Sequence, residues 1–335
     1  TPSTRRPKPQ FSNDEIAPTA ISSRSLEMAQ QEISSPPTTT FAQLADQLLL
    51  PEDWLARVDQ LLRARRQIIF YGPPGTGKTY VARQLARFYA EGEAKHMKVV
   101  QFHPSYAYED FIQGYRPCII NGQPGFDLKN GPLHALATDA SKDPGQTYVL
   151  VIDEINRGNI AKVFGELYYL LEYRNDSMTL QYSAEPFKLP PNLLIIGTMN
   201  SADRSIALLD GALRRRFYFV PFHPSEEPIK GLLRRWLLRE RPTMAPVADI
   251  VARANEQLGD HYAAIGPSYF MRAELNEEWL ALIWKYAIMP YLEEHLYGDR
   301  ERLSDFRLEA LRARAREDDG TLASVRIDHE DGYAD

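Results

Sequence analysis

Cysteine occurs once in 335 residues, at Cys118. A lone cysteine excludes an intramolecular disulfide framework and suits a reducing compartment, so a cytoplasmic setting is expected. No apolar run approaches the ~20 residues of a membrane-spanning helix, and the N-terminus lacks the apolar stretch of a secretion signal. No membrane role is expected. Positive charge is not in excess either: 39 Lys and Arg stand against 45 Asp and Glu, a formal charge of −6. Contact with nucleic acid would need a local patch or a partner. The seven histidines are scattered and suggest no metal cluster, and there is no internal repeat. What is present is ordinary globular composition, 44% hydrophobic and 25% charged, at a length that fits about two domains.

Residues 1–40 are rich in Pro, Ser, Thr and Gln without apolar periodicity, and read as a flexible arm or linker. From Phe41 the texture changes. Phe41–Leu50 and Trp54–Arg65 carry apolar residues at helical spacing. Short apolar strands then alternate with helices: Gln67–Tyr71, Val99–His103, Thr147–Asp153, Asn192–Thr198 and Phe217–Phe222, with a helix over Lys78–Tyr89. Uninterrupted apolar strands separated by helices predict a parallel α/β sheet covered on both faces. Asn121-Gly122 and Pro124-Gly125 within Tyr115–Leu128 predict a β-hairpin insertion, and Met178–Leu189 a second hairpin. After residue 223 the pattern turns helical, over Ile229–Leu238, Val247–Leu258, Glu277–Leu296 and Leu303–Arg314. The expected divisions are an arm at 1–40, an α/β nucleotide-binding domain at 41–223, a small helical lid domain at 224–316 and an acidic tail at 317–335.

Gly72-Pro73-Pro74-Gly75-Thr76-Gly77-Lys78-Thr79 fits G-x-x-x-x-G-K-[ST] between a strand and a helix, the context that a P-loop requires. Glycines let the loop wrap so that backbone N–H groups and the following helix N-terminus face the phosphates of a nucleotide. Lys78 is expected to reach the β- and γ-phosphates, and the Thr79 hydroxyl to coordinate Mg²⁺. Asp153 and Glu154 end the third strand, Asp153 in the Mg²⁺ shell and Glu154 polarising the attacking water. Asn200 ends the fourth strand, as a sensor of the γ-phosphate or water; capping of a turn is the alternative. Arg214-Arg215-Arg216 closes a helix, where the dipole alone favours cations. Three in a row exceed what capping needs. Arg215, assisted by Arg216, is the candidate finger acting on a neighbouring subunit's nucleotide.

With these motifs in view, the chain resembles the AAA+ NTPase subunit of McrBC-type modification-dependent restriction systems, over about residues 65–300. Met199-Asn200-Ser201-Ala202-Asp203-Arg204-Ser205 is close to the family's MNTADRS signature, and Tyr108–Pro117 (YEDFIQGYRP) is a further specific match. Ile152–Arg157, Val163–Glu166, Ala212–Phe217 and Ile265–Phe270 support it, with Pro267 where the family often has His. The resemblance implies an AAA+ fold, a hexameric ring, GTP in place of ATP, an McrC-like endonuclease partner, and a separate domain reading modified DNA. Nothing before Phe41 reads as such a domain, so DNA contact is expected through the complex. Asp203 and Arg204 would lie at a subunit or partner interface; a surface ion pair is the alternative. His103, the aromatics of Tyr106–Phe111 and Arg116 either pack locally or line a ring surface. Two other readings share the phosphate site: a MoxR- or dynein-related ATPase remodelling protein complexes, and a nucleotide-dependent assembly scaffold.

Overall fold

The computed structural model describes residues 39–120, 122–183, 185–201 and 211–314. Asp203 and Arg204 lie outside these, as do the proline-rich arm before residue 39 and the acidic tail. The first described helix, α1 (Phe41–Leu48), opens with a capping box. Thr40 Oγ1 accepts from the Gln43 N–H at 3.3 Å, and Gln43 Oε1 accepts from the Thr40 N–H at 2.8 Å. Helix α2 (Glu52–Arg65) follows and delivers the chain into β1 (Gln67–Gly72).

Five strands form the central sheet, in the order β2 (Met97–Gln101), β5 (Tyr148–Asp153), β8 (Leu193–Asn200), β1 and β9 (Tyr218–Pro221). All four neighbouring pairs are parallel. The strands are apolar on both faces because both are covered. Leu150 and Ile152 of β5 pack on one side, with α5 (Pro132–Lys142), α6 (Ile160–Phe164) and α7 (Leu167–Leu170). Val149 and Val151 face the other way, onto α1, α2 and α3 (Lys78–Tyr89). Each fully buried Val, Leu or Ile contributes about 1.5–3 kcal/mol. Two clusters of this kind clamp the sheet and hold the carboxyl ends of β1, β5 and β8 side by side.

Between β2 and β5, α4 (Tyr108–Phe111) leads into an antiparallel hairpin, β3 (Gln113–Ile120) and β4 (Gln123–Asn130), where Gly122 turns at φ 79°. The hairpin expected over Met178–Leu189 reduces to two-residue strands, β6 (Met178–Thr179) and β7 (Pro186–Phe187). After α8 (Gly211–Arg216) and β9, helices α9 (Leu232–Glu240), α10 (Val247–Leu258), α11 (Glu277–Ile283), α12 (Met289–His295) and α13 (Arg300–Ser304) surround a third core around Leu237, Phe270, Trp284 and Phe306.

Three expectations need correction. The second strand lies two residues earlier than Val99–His103, since Phe102 is drawn into the core beside Tyr106 and Phe111. The helix expected over Glu277–Leu296 is interrupted by a π-helical turn, Trp284–Ile288, just before Pro290, whose ring cannot supply an N–H. The helix expected over Leu303–Arg314 is broken at residues 305–307, where the Phe306 carbonyl accepts from Trp284 Nε1 at 2.8 Å.

Candidate active site

The loop between β1 and α3 bends at Gly75 (φ 76°) and Gly77 (φ 86°), conformations that L side chains seldom adopt. Gly72 is required for a different reason: a Cβ there would lie 2.1 Å from the Phe222 carbonyl oxygen. The loop is pinned between its neighbours, Ser201 N–H donating to Gly72 O at 2.9 Å and Phe222 N–H to Tyr71 O at 2.8 Å. Register places Gly72 opposite Asn200, so β8 ends beside the loop. Thr76 is fully buried and its hydroxyl donates to Pro73 O at 3.0 Å.

Lys78 is buried at the start of α3. Its Nζ donates to Gly72 O at 2.9 Å and Pro73 O at 2.7 Å, with Thr76 Oγ1 at 3.3 Å. Burial pushes the ammonium down to about 8, against the opposing pull of Glu154 and Asp153. It sits inside the loop as a cation held by carbonyls, the position from which phosphate oxygens would take over.

Thr79 Oγ1 donates to Asp153 Oδ1 at 2.6 Å, and the Thr198 hydroxyl donates to the same oxygen. A hydroxyl and a carboxylate at hydrogen-bond distance form an oxygen-only donor pair. That suits Mg²⁺, which keeps several waters and takes one or two carboxylates beside phosphates. Glu154 follows in the left-handed region, φ 55° and ψ 42°. Such strain in a non-glycine residue, on the order of 1–3 kcal/mol, concentrates at functional sites. The Glu154 N–H donates to Thr198 Oγ1 at 3.3 Å, Asn200 Nδ2 donates to Glu154 Oε1 at 2.7 Å, and Arg157 Nε pairs with Glu154 Oε2 at 2.5 Å.

The structure thus brings together Gly72 to Thr79, Asp153, Glu154 and Asn200. Two residues in contact with this group were given no role from sequence, Thr198 and Arg157. Thr198 is a hydroxyl in an otherwise apolar buried strand, a signal that it has a polar neighbour to satisfy. Arg157 gives no such signal; only the turn after β5 brings it to Glu154.

The arginine triplet stands elsewhere. Tyr218 pairs with Ile68, so α8 ends at the amino edge of the sheet, a six-residue strand or about 20 Å from the phosphate loop. Arg214 and Arg215 are exposed there, and the Arg215 carbonyl accepts from Arg65. Arg216 turns inward, to Glu172 Oε2 at 2.9 Å and over the Tyr168 ring at 4.5 Å.

The segment after β2 packs locally. Tyr106 stacks on Phe102 at 4.9 Å and Arg116 pairs with Asp110 at 2.5 Å. The histidines are less scattered than their sequence spacing suggests: ligand atoms of His223, Glu226 and His261 lie within 4.8 Å of one another. The two rings are stacked face to face, 3.7 Å between centroids at 9°, so one cation cannot lie in the plane of both. The helical segment reaches the phosphate loop through Gly266–Tyr269. Ser268 N–H donates to Gly75 O at 2.9 Å, and a Cβ on Gly266 would come within 2.2 Å of the Gly75 backbone. No described helix is long and apolar enough to cross a membrane.

Two family models match the chain, an AAA domain of the dynein-related subfamily over residues 67–217 and the alpha-helical lid domain of McrB over 246–304. The chain is 39% identical to the EcoKMcrB subunit of a type IV methyl-directed restriction enzyme of Escherichia coli, over 75% of this chain and 58% of that protein. It is 27% identical to the YdiS component of the type II restriction enzyme BsuMI of Bacillus subtilis, over 69% of this chain and 79% of that one. Human neuron navigator 2 is 25% identical over 77% of this chain, but over 10% of its own length. With a P-loop on a parallel α/β sheet, the AAA domain and a lid of the McrB type, the chain belongs to the McrB-like AAA+ P-loop NTPases.

Proposed function

We propose that the chain is a Mg²⁺-dependent nucleoside triphosphatase and the ring-forming motor subunit of a McrBC-like restriction complex. GTP is the substrate implied by the family resemblance, with ATP as the alternative. The contact that carries this reading is the linked set Thr79–Asp153–Thr198–Glu154–Asn200 at the carboxyl ends of β5 and β8, beside the phosphate loop.

In this reading the backbone of Gly72–Gly77 and Lys78 hold the phosphates. Thr79 and Asp153 would hold the metal, which would supply charge neutralisation at the phosphates. Glu154 accepts a proton from the attacking water, and Asn200 fixes the carboxylate and senses the γ-phosphate. The amino-edge position of Arg214, Arg215 and Arg216 supports action on a neighbour, because no arginine side chain spans about 20 Å back to its own loop. Arg215 is the trans finger, Arg216 its support, and Arg214 an interface residue. A hexamer is the expected ring. Residues 41–223 form the nucleotide domain and 224–316 the lid, in a cytoplasmic protein.

The two bacterial relatives, both parts of restriction enzymes, support placement in a DNA defence complex. Cutting falls to an McrC-like endonuclease partner, and DNA is engaged through the complex. Turnover of GTP against ATP, with and without that partner, tests the reading. Preference for GTP and stimulation by the partner are expected; a partner-indifferent ATPase contradicts the restriction role.

A further inference from the structure

A second basic site lies at the amino edge of the sheet, at the opposite end from the phosphate loop. There a cavity of about 490 Å³ is lined by Arg63, Arg65, Arg66, Arg174, Arg215 and Arg216, against only two carboxylates, Glu172 and Asp176. Some of this charge has a local explanation. Arg63 and Arg65 close α2 and Arg215 and Arg216 close α8, where helix dipoles favour cations. Arg63 also pairs with Asp59 at 2.7 Å, and Arg216 with Glu172.

Arg66 and Arg174 are not explained in this way. Arg66 lies past the end of α2 at φ 68°, and its side chain has no carboxylate partner among the described residues. Arg174 is half-buried. It donates to Gln67 Oε1 at 2.6 Å and to Leu193 O at 3.2 Å, both neutral acceptors. Its Nε is buried without a hydrogen-bond partner. Burial, with Arg66 nearby, lowers the group to about 9, which still leaves it cationic at neutral pH. A buried cation with an unsatisfied donor and no counter-charge is costly, and an anion seated in the cavity would offset that cost.

We propose that this cavity binds the phosphate groups of a polyphosphate, separately from the P-loop, with Arg66 and Arg174 as its principal contacts. A cavity of this size admits several phosphate units, and planar guanidinium groups match phosphate oxygens in pairs. The site does not depend on the hydrolysis reading. The occupant is a free polyphosphate; the triphosphate on a neighbouring copy, which Arg215 is proposed to reach, is the competing source.

The probe is inorganic tripolyphosphate, titrated calorimetrically into full-length Lys78→Ala chain in the presence of a chelator, so that the P-loop is disabled. Saturable binding at one site is expected. Arg66→Ala or Arg174→Gln in the same background is expected to weaken it at least about tenfold, as loss of a charge-assisted hydrogen bond should. The Arg66 side chain makes no hydrogen bond or ion pair among the described residues, so its variant keeps the test valid should Arg174→Gln fail to fold. No binding by the Lys78→Ala chain, or binding that Arg66→Ala leaves unchanged, overturns the proposal. Addition, without the chelator, of Glu154→Gln subunits loaded with triphosphate and magnesium separates the sources. Reduced tripolyphosphate affinity places the neighbour's nucleotide there and overturns the proposal, and unchanged affinity supports the free anion.

Discussion

Asn200 donates a 2.7 Å hydrogen bond from Nδ2 to Glu154 Oε1, joining the last residue of β8 to the residue just past β5. The opposite oxygen of Glu154 is held by Arg157. The carboxylate is therefore fixed from two sides, beside the Thr79–Asp153 pair. A base held in this way should be replaceable in shape but not in chemistry. Glu154→Gln is expected to bind triphosphate and assemble normally while turnover falls by about 10²–10⁴-fold, the contribution typical of a positioned base. Asn200→Ala is expected to lose about 10²-fold with little change in affinity. Single-turnover hydrolysis with parallel binding measurements checks both; undiminished turnover by Glu154→Gln removes it from the role.

Lys78 supplies a pH dependence whose sign is fixed by its burial. The free loop holds its ammonium at about 8. Phosphate binds the charged form better, so the bound group titrates higher than the free one. Triphosphate affinity is then level with respect to Lys78 below about pH 7 and falls above about pH 8, by up to about tenfold per pH unit. Lys78→Arg, which stays charged, should abolish this slope even if it binds more weakly. Binding titrations from pH 7 to pH 9.5 decide it, and a flat wild-type profile contradicts the assignment.

Gly266 and Ser268 set the helical segment directly against the loop proposed to hold the phosphates. A Cβ at Gly266 would approach the Gly75 carbonyl carbon to 2.2 Å and its oxygen to 2.3 Å, backbone atoms that cannot rotate away. Gly266→Ala is expected to destabilise the chain by about 1–3 kcal/mol and to weaken triphosphate binding. Gly145→Ala, which meets nothing within 4 Å, should stay within about 0.5 kcal/mol of the parent. Thermal unfolding and nucleotide titration of the two variants distinguish a specific clash from general sensitivity to alanine.

The parts of this arrangement that were legible in the sequence share one property: their signals are local. The glycine spacing of Gly72–Thr79 and the helices over Lys78–Tyr89 and Val247–Leu258 coincide with the structure to the residue. The acidic end of β5 is likewise where its apolar run predicts. What escaped depends on geometry that residue spacing alone does not carry. Thr198 matters because β8 lies beside β5, and Arg157 because a left-handed Glu154 redirects the chain. The edge strand β2 was misplaced by two residues because Val99, Val100 and Phe102 carry the apolar pattern past Gln101, where the strand ends; only the aromatic cluster around Phe102 shows where the sheet ends. Pro290 is a local signal for the interruption of the long helix, one that a reading by apolar periodicity does not register.

Placement of Arg215 at the amino edge of the sheet predicts that active sites are shared between copies. Lys78→Ala and Arg215→Ala chains should each be nearly inactive alone. Mixed together, they should regain part of the activity, since some junctions then pair an intact loop with an intact arginine. Hydrolysis across mixing ratios reads this out, and no recovery at any ratio excludes a finger acting in trans.

Equilibrium binding of GTP and ATP to the purified chain, with and without magnesium, bears most directly on the phosphate site itself. Binding of at least one triphosphate that magnesium strengthens, that Lys78→Ala abolishes and that Thr79→Ala frees from magnesium dependence is predicted. Absence of binding by either triphosphate in excess magnesium would contradict it.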